Sequence, residues 1–296
     1  MPREQVLMID CAGVQLPGVV SDAAQAADTG VIIVVGGPQY RAGSHRQFVL
    51  AARSLAQLGF TTLRFDVRGM GDSAGEPRSF EQLDEDIRAA IDGLLAARPL
   101  LRRVVLYGLC DGASAALLYC ERTRDRRVAG LCLLNPWLRS SHTLARTQIR
   151  HYYLQRLGEP AFWAKLLSGG VAREALRELL VKLRSVARGA APAPGPEDFR
   201  CTMAAGWARF EGPILLLLSG EDLTAREFET GAGSDPAWSG ALSRVAVKRV
   251  DFAAADHTFS RMKDRLTMES AVGQWLHDTF DTQSISPDHQ RKECHV

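Results

Sequence analysis

The sequence predicts a mainly parallel, doubly wound α/β sheet with a helical cap inserted before its last strands. Three observations carry this. Val31-Ile32-Ile33-Val34-Val35 is apolar at every position, as a strand buried on both faces must be. Short apolar runs then alternate with helical patterns along most of the chain, the order that a parallel sheet with crossover helices requires. Finally, Val104-Val105-Leu106-Tyr107 runs straight into Gly108-Leu109-Cys110-Asp111-Gly112 and a small-residue helix, which is strand, tight turn and helix.

Taken in order, Gln5 to Ile9 and Val14 to Val20 read as an opening antiparallel hairpin around Asp10-Cys11-Ala12-Gly13. The strand at Val31 to Val35 is followed by a loop, Gly36-Gly37-Pro38-Gln39-Tyr40-Arg41-Ala42-Gly43, and a helix from about Ser44 to Leu58. Ser44 is the expected N-cap and Gly59 the expected residue past the C-cap. Thr61 to Asp66 is a strand, and Ser79 to Ala97 a helix with Phe80, Leu83, Ile87, Ile91, Leu94 and Leu95 at helical spacing. Val128 to Asn135 and Ile214 to Ser219 are further strands, and Val245 to Asp251, which alternates, is a last strand nearer an edge.

The core is therefore expected over 1–135 and 211–282. Residues 136–210 carry helical patterns at Thr143 to Leu157, Pro160 to Leu167, Val171 to Val186 and Phe199 to Phe210, broken by a Pro-rich linker at Ala190 to Pro196. They read as a cap over the strand C-termini, where ligands of such sheets bind; the plainer alternative is a surface excursion with a minor core. Residues 283–296 are polar and read as a disordered tail.

With 296 residues, 46% of them hydrophobic, the chain has ample material for a large core. The 36 Lys and Arg balance 34 Asp and Glu at a formal net charge of +2, so no global field favours nucleic acid or an anionic membrane. No apolar run approaches the ~20 residues of a membrane helix, and Met1 to Asp10 lacks signal-peptide features. A cytoplasmic location is expected, with no membrane insertion. The six cysteines, at 11, 110, 120, 132, 201 and 294, follow no metal-ligand or disulfide spacing. Neither a metal nor a cofactor is expected.

Gly108-x-Cys110-x-Gly112 has the form of a nucleophile elbow, in which a strained turn raises the central side chain above the sheet edge. Cys110 is the candidate nucleophile, and the dipole of the helix beginning near Gly112 would favour its thiolate. His257, in Ala254-Ala255-Asp256-His257-Thr258-Phe259 after the last strand, is the candidate base. Asp222, after the strand between elbow and histidine, is the candidate acid that orients the imidazole. Glu221 replaces it if that turn differs by one residue. Asp256 adjoins His257 and reads as a loop acid. The oxyanion hole should combine the backbone N–H of Asp111 with one from the loop after Val35. Pro38 has none to give, which leaves Gly37 or Gln39, and Gln39 could add its side-chain amide. The plainer reading makes Gly36-Gly37 a tight turn only. The Asp111 carboxylate either meets a polar substrate group or caps its helix. Arg68, in Asp66-x-Arg68-Gly69-x-Gly71-Asp72-Ser73, is expected to brace loops by ion pairing. Trp137, Tyr152, Tyr153, Trp163 and Trp207 are candidates for an acyl pocket, with ordinary core packing as the alternative.

The runs at 36–48 and 66–73, and above all Gly108-Leu109-Cys110-Asp111-Gly112-Ala113-Ser114-Ala115, resemble the exosortase A system-associated hydrolase 1 group of the α/β-hydrolase superfamily. The resemblance runs from about residue 3 to 281. It implies an α/β-hydrolase fold and a cytoplasmic enzyme of exopolysaccharide-making Gram-negative bacteria that carry a protein-sorting system, and it supplies no substrate. A cysteine at the elbow also resembles dienelactone hydrolases and polyhydroxyalkanoate synthases, the latter acyltransferases.

Three functions stand against one another. One is hydrolysis of a small-molecule ester or thioester, its acyl group free or carried on CoA or a carrier, through an acyl-cysteine. The second is transfer of that acyl group to an alcohol, amine or thiol. The third is a binding module on a hydrolase scaffold, against which the order Cys, Asp, His argues.

Overall fold

The computed structural model describes residues 2–25, 27–36, 39–138 and 199–280. Among them, strands β1 (Arg3–Cys11), β2 (Val14–Asp22), β3 (Thr29–Val34), β4 (Thr62–Phe65), β5 (Arg103–Leu109), β6 (Val128–Leu134), β7 (Ile214–Ser219) and β8 (Val247–Phe252) form one sheet in the order β1-β2-β4-β3-β5-β6-β7-β8. The opening hairpin pairs antiparallel and β2 lies antiparallel on β4; every pair from β4 to β8 is parallel. This is the α/β-hydrolase fold, and β8 is an edge strand, as its alternation suggests.

Burial on both faces explains the unalternating runs. Ile32, Val34, Val104 and Leu106 face one core layer, while Val31, Ile33, Val105 and Tyr107 face the other. The first layer is covered by helices α2 (Asp84–Ala97), α3 (Asp111–Thr123), α4 (Phe199–Arg209) and α5 (Leu223–Ser234); the second by α1 (Gln47–Gln57) and α6 (Met262–Phe280). Sequence reading omitted α5, whose two glycines lower its helix propensity.

The start of α1 differs from expectation. Ser44 opens a single 3-10 turn ending at Arg46, and Arg46, at φ 60, is the capping residue without a side-chain bond. The Gln39 side-chain oxygen accepts from Ser44 N–H at 3.2 Å and from Gln47 Nε2 at 3.3 Å. The loop after β3 thus supplies the acceptor that an N-cap would have given. Gly59 sits past the C-cap at φ 95, as expected.

Helix α4, read from sequence as the last cap helix, packs against α3. Its Met203, Ala204 and Trp207 are buried in the same core as Leu117 and Leu118. The patterns at Thr143 to Leu157, Pro160 to Leu167 and Val171 to Val186, and the tail at 283–296, lie outside the described residues. No helix among the described residues is long and apolar enough to cross a membrane.

Loop bracing follows the Asp66-to-Ser73 motif. Asp66, its side chain shut off from solvent, accepts from the backbone N–H of Arg41 at 2.6 Å and of Asp72 at 2.9 Å, and pairs with the Arg41 guanidinium. Arg68 binds buried Asp86 through its backbone N–H at 2.9 Å and through Nε and Nη2, and reaches Glu85 at 2.7 Å. These bonds to Asp86 and Glu85 push the Arg68 pKa up. Arg68 therefore anchors the start of α2, the bracing role expected of it.

Candidate active site

Cys110 lies between β5 and α3 with φ 59 and ψ −125, a region that side-chain-bearing residues rarely enter. The flanking glycines make this turn possible. A Cβ on Gly108 would stand 2.5 Å from Ala113 N, and one on Gly112 would strike Val34 O. A Cβ on Gly36 would collide with Leu109 O and with the Asp111 carboxylate. The loop after β3 therefore lies directly on the elbow, and Asp111, in the first turn of α3, turns its side chain towards Gly36. A carboxylate there also suits the positive end of the helix dipole.

The two other candidates meet at the same sheet edge. His257 Nδ1 is 2.7 Å from Asp222 Oδ2, and the ring lies near enough to Cys110 for the sulfur to act on its protonation. Asp222 is held by its own position: it is the N-cap of α5, accepting from Thr224 N–H at 3.0 Å and Ala225 N–H at 3.2 Å. The His257 side chain is 32% exposed and that of Asp222 only 6%, so the imidazole opens to solvent while its carboxylate does not. Burial alone would push the His257 pKa down. The Asp222 carboxylate, with Cys110 beside the ring, outweighs that and raises it from 6.5 to about 10.

The described cysteines differ sharply. Burial raises the thiols of Cys11, Cys120 and Cys132. Cys201 is exposed on α4, and Cys110, half-buried, is the one beside His257.

Glu221 is not brought to the ring. It is exposed and lies 3.6 Å from Arg261. Asp256 accepts from the backbone N–H of Thr258 at 3.2 Å and of Ser260 at 2.9 Å, so it ties its own turn. Trp207 is core: fully buried, it packs at a tilt against Trp238 and Phe228 and donates to Ala241 O at 2.8 Å. Trp137 stays beside the elbow, its N–H donating to Cys110 O at 3.2 Å. Tyr152, Tyr153 and Trp163 lie outside the described residues, as do Gly37 and Pro38. Gln39 is described, with its side-chain oxygen turned back on its own loop.

Sequence reading missed Asn135 and Ser219. Asn135 Oδ1 accepts from Ser219 N–H at 2.8 Å, and its Nδ2 donates to Ser219 Oγ at 3.0 Å and to His257 O at 3.1 Å. The available signal was a carboxamide ending an apolar strand at this edge. Among the described residues no group of three His, Cys, Asp or Glu side chains is gathered as a metal site needs. Two open clefts of about 940 and 800 Å³ lie at the strands' N-terminal ends, around Val128 and Gly212 and around Thr61 and Leu101, away from Cys110.

Comparison with known proteins agrees with this architecture. An uncharacterized Pseudomonas aeruginosa protein, PA2218, is 36% identical over 89 residues, a match that takes in 29% of this chain and 24% of that protein. The esterase Pf2001 of Pyrococcus furiosus superposes with a TM-score of 0.63 at 15% identity, covering 94% of this chain and 92% of its own. A dienelactone hydrolase of Anabaena variabilis does so with a TM-score of 0.59 at 14% identity, covering 94% and 99%. At such identities the likeness is one of fold. The family profile described as the alpha/beta hydrolase family matches residues 31–267, most of the sheet from β3 to β8 together with the elbow, Asp222 and His257: the chain belongs to the alpha/beta hydrolase family.

Proposed function

We propose that this protein hydrolyses carboxylic esters or thioesters through an acyl-cysteine intermediate. The observation that carries the reading is the imidazole of His257, bonded to Asp222 at 2.7 Å and standing beside Cys110 at the strained elbow. The Cys110 thiolate attacks the acyl carbon, and the oxyanion that forms is met by the N–H of Asp111 and one from Gly37 or Gln39. As the tetrahedral intermediate collapses, the bond to the leaving oxygen or sulfur breaks and the leaving group takes the proton from His257 Nε2. Nε2, now neutral, removes a proton from water, whose oxygen attacks the thioester. Collapse releases the acid, and the proton remains on His257 opposite the restored thiolate. Asp222 holds the Nδ1–H throughout and fixes the tautomer. An esterase and a dienelactone hydrolase among the structural relatives make ester chemistry the natural first assay.

Transfer to an alcohol, amine or thiol is the second reading. It is favoured by the cysteine itself, since a thioester yields to such nucleophiles more readily than an oxygen ester. The finer kinship to exosortase A system-associated hydrolases, the cytoplasmic location and a CoA- or carrier-borne acyl group belong to this proposal. Short p-nitrophenyl esters and acyl-thioesters, assayed with and without amine acceptors, test it. Hydrolysis predicts turnover in water that the acceptor does not accelerate. Transfer predicts a burst followed by acceptor-dependent release. Full turnover by Cys110→Ala would refute both.

A further inference from the structure

Asn135 follows β6 and is completely buried. Its backbone stands at φ 44, a left-handed conformation that Asn tolerates because its short amide can bond locally. Its N–H donates to Leu217 O at 3.0 Å, extending the ladder between β6 and β7. The side chain then reaches two separate loops. Ser219 is bonded through both its N–H and its hydroxyl, and His257 through its main-chain carbonyl. Ser219 ends β7, and its carbonyl accepts from Asp222 N–H at 3.4 Å. One carboxamide thus joins the strand end that leads to Asp222 with the loop that carries His257. The neighbouring peptides hold the elbow: Leu134 O accepts from Cys110 N–H at 2.9 Å, and Trp137 N–H donates to Cys110 O.

We propose that Asn135 is a positioning residue that sets the His257 ring between Asp222 and Cys110 by clamping the His257 carbonyl to the end of β7, an inference that rests on the acyl-cysteine reading above. The chemistry fits the amide alone. Two donors and one acceptor are used at once, in a site without solvent to replace them. An apolar residue would leave the His257 carbonyl and the Ser219 N–H unpaired. A carboxylate of the same shape would put an acceptor oxygen in place of Nδ2, facing the His257 carbonyl, and would push that loop away.

The test uses Asn135→Gly, which keeps the left-handed backbone, and isosteric Asn135→Asp, with His257→Ala as reference. Alkylation of Cys110 by iodoacetamide is followed by peptide mass spectrometry, which separates it from exposed Cys201, alongside steady-state kinetics on p-nitrophenyl acetate and thermal unfolding. The expected result is a loss of about 10- to 100-fold in Cys110 alkylation rate at about pH 6 and in kcat, with KM within about twofold, because a displaced ring no longer holds the thiolate. Either folded variant that showed a lower melting temperature but wild-type alkylation and kcat would reduce Asn135 to a structural residue and overturn the proposal. Failure of the underlying reading looks different: His257→Ala would itself alkylate as fast as the wild type, and the role of Asn135 would fall with it.

Discussion

At the scale of single residues, the site is a matter of charge held in place. Asp222 does two jobs with one carboxylate, capping α5 through the N–H groups of Thr224 and Ala225 and bonding His257 Nδ1. Asn at this position would still cap a helix well, so Asp222→Asn isolates the charge. A histidine whose folded pKa is raised from 6.5 to about 10 contributes stability that is fully present below pH 6.5 and is lost as pH rises through about 10. The melting temperature of Asp222→Asn should therefore lie below that of the wild type at neutral pH, and the gap should close above pH 10. A gap that stays constant through pH 10 would show that His257 is not the cation Asp222 holds. Asp222 and His257 were legible in the sequence because each follows a recognisable strand. Asn135 was not: its role depends on two loops meeting 84 and 122 residues further along, which no local pattern encodes.

At the scale of elements, the elbow is a packing problem before it is a chemical one. The β5–α3 turn brings Gly108 onto the Ala113 backbone and Gly112 onto Val34 O, so Cys110 is raised only if both positions lack a side chain. Gly108→Ala should cost about 1–3 kcal/mol of stability by overpacking, read from denaturant unfolding, and should lower Cys110 acylation in the protein that still folds. Unchanged stability would mean the turn relaxes freely. Strand–turn–helix was readable from spacing alone, as were most strands, because burial on both faces strips out alternation. Helix starts were less so. Ser44 has the composition of an N-cap, yet Gln39, a loop residue, takes its N–H instead. Helix α5 hides behind two glycines and is fixed by the Asp222 cap and by Ala225 and Phe228 in the core.

At the scale of the whole molecule, the loops after β3 and β4 are moored to each other and to α2 by ion pairs that face inward. Arg68 and Asp86 are both buried, their side chains 6% and 0% exposed, and join the exit of β4 to α2; Arg41 and Asp66 join that exit to the loop after β3. Removing one partner of a buried pair strands the other charge, which typically costs about 3–5 kcal/mol. Asp86→Ala should lose stability on that scale in chemical denaturation, whereas replacing Arg68 and Asp86 together by apolar residues should lose much less; equal losses would mean the ion pair is not the source. The parallel sheet, its two covered faces and the edge position of β8 followed from the sequence because they rest on patterns of apolar residues in the strands. The place of α4 against α3 did not, since its burial depends on which neighbour Met203 and Trp207 meet. The most direct measurement of an acyl-cysteine at the elbow is intact-mass spectrometry of the wild type and Cys110→Ala after exposure to a library of acyl-thioesters. A single acyl mass on Cys110 that water then removes, and no adduct on the variant, is the expected result; an adduct on another residue, or undiminished turnover by Cys110→Ala, would contradict it.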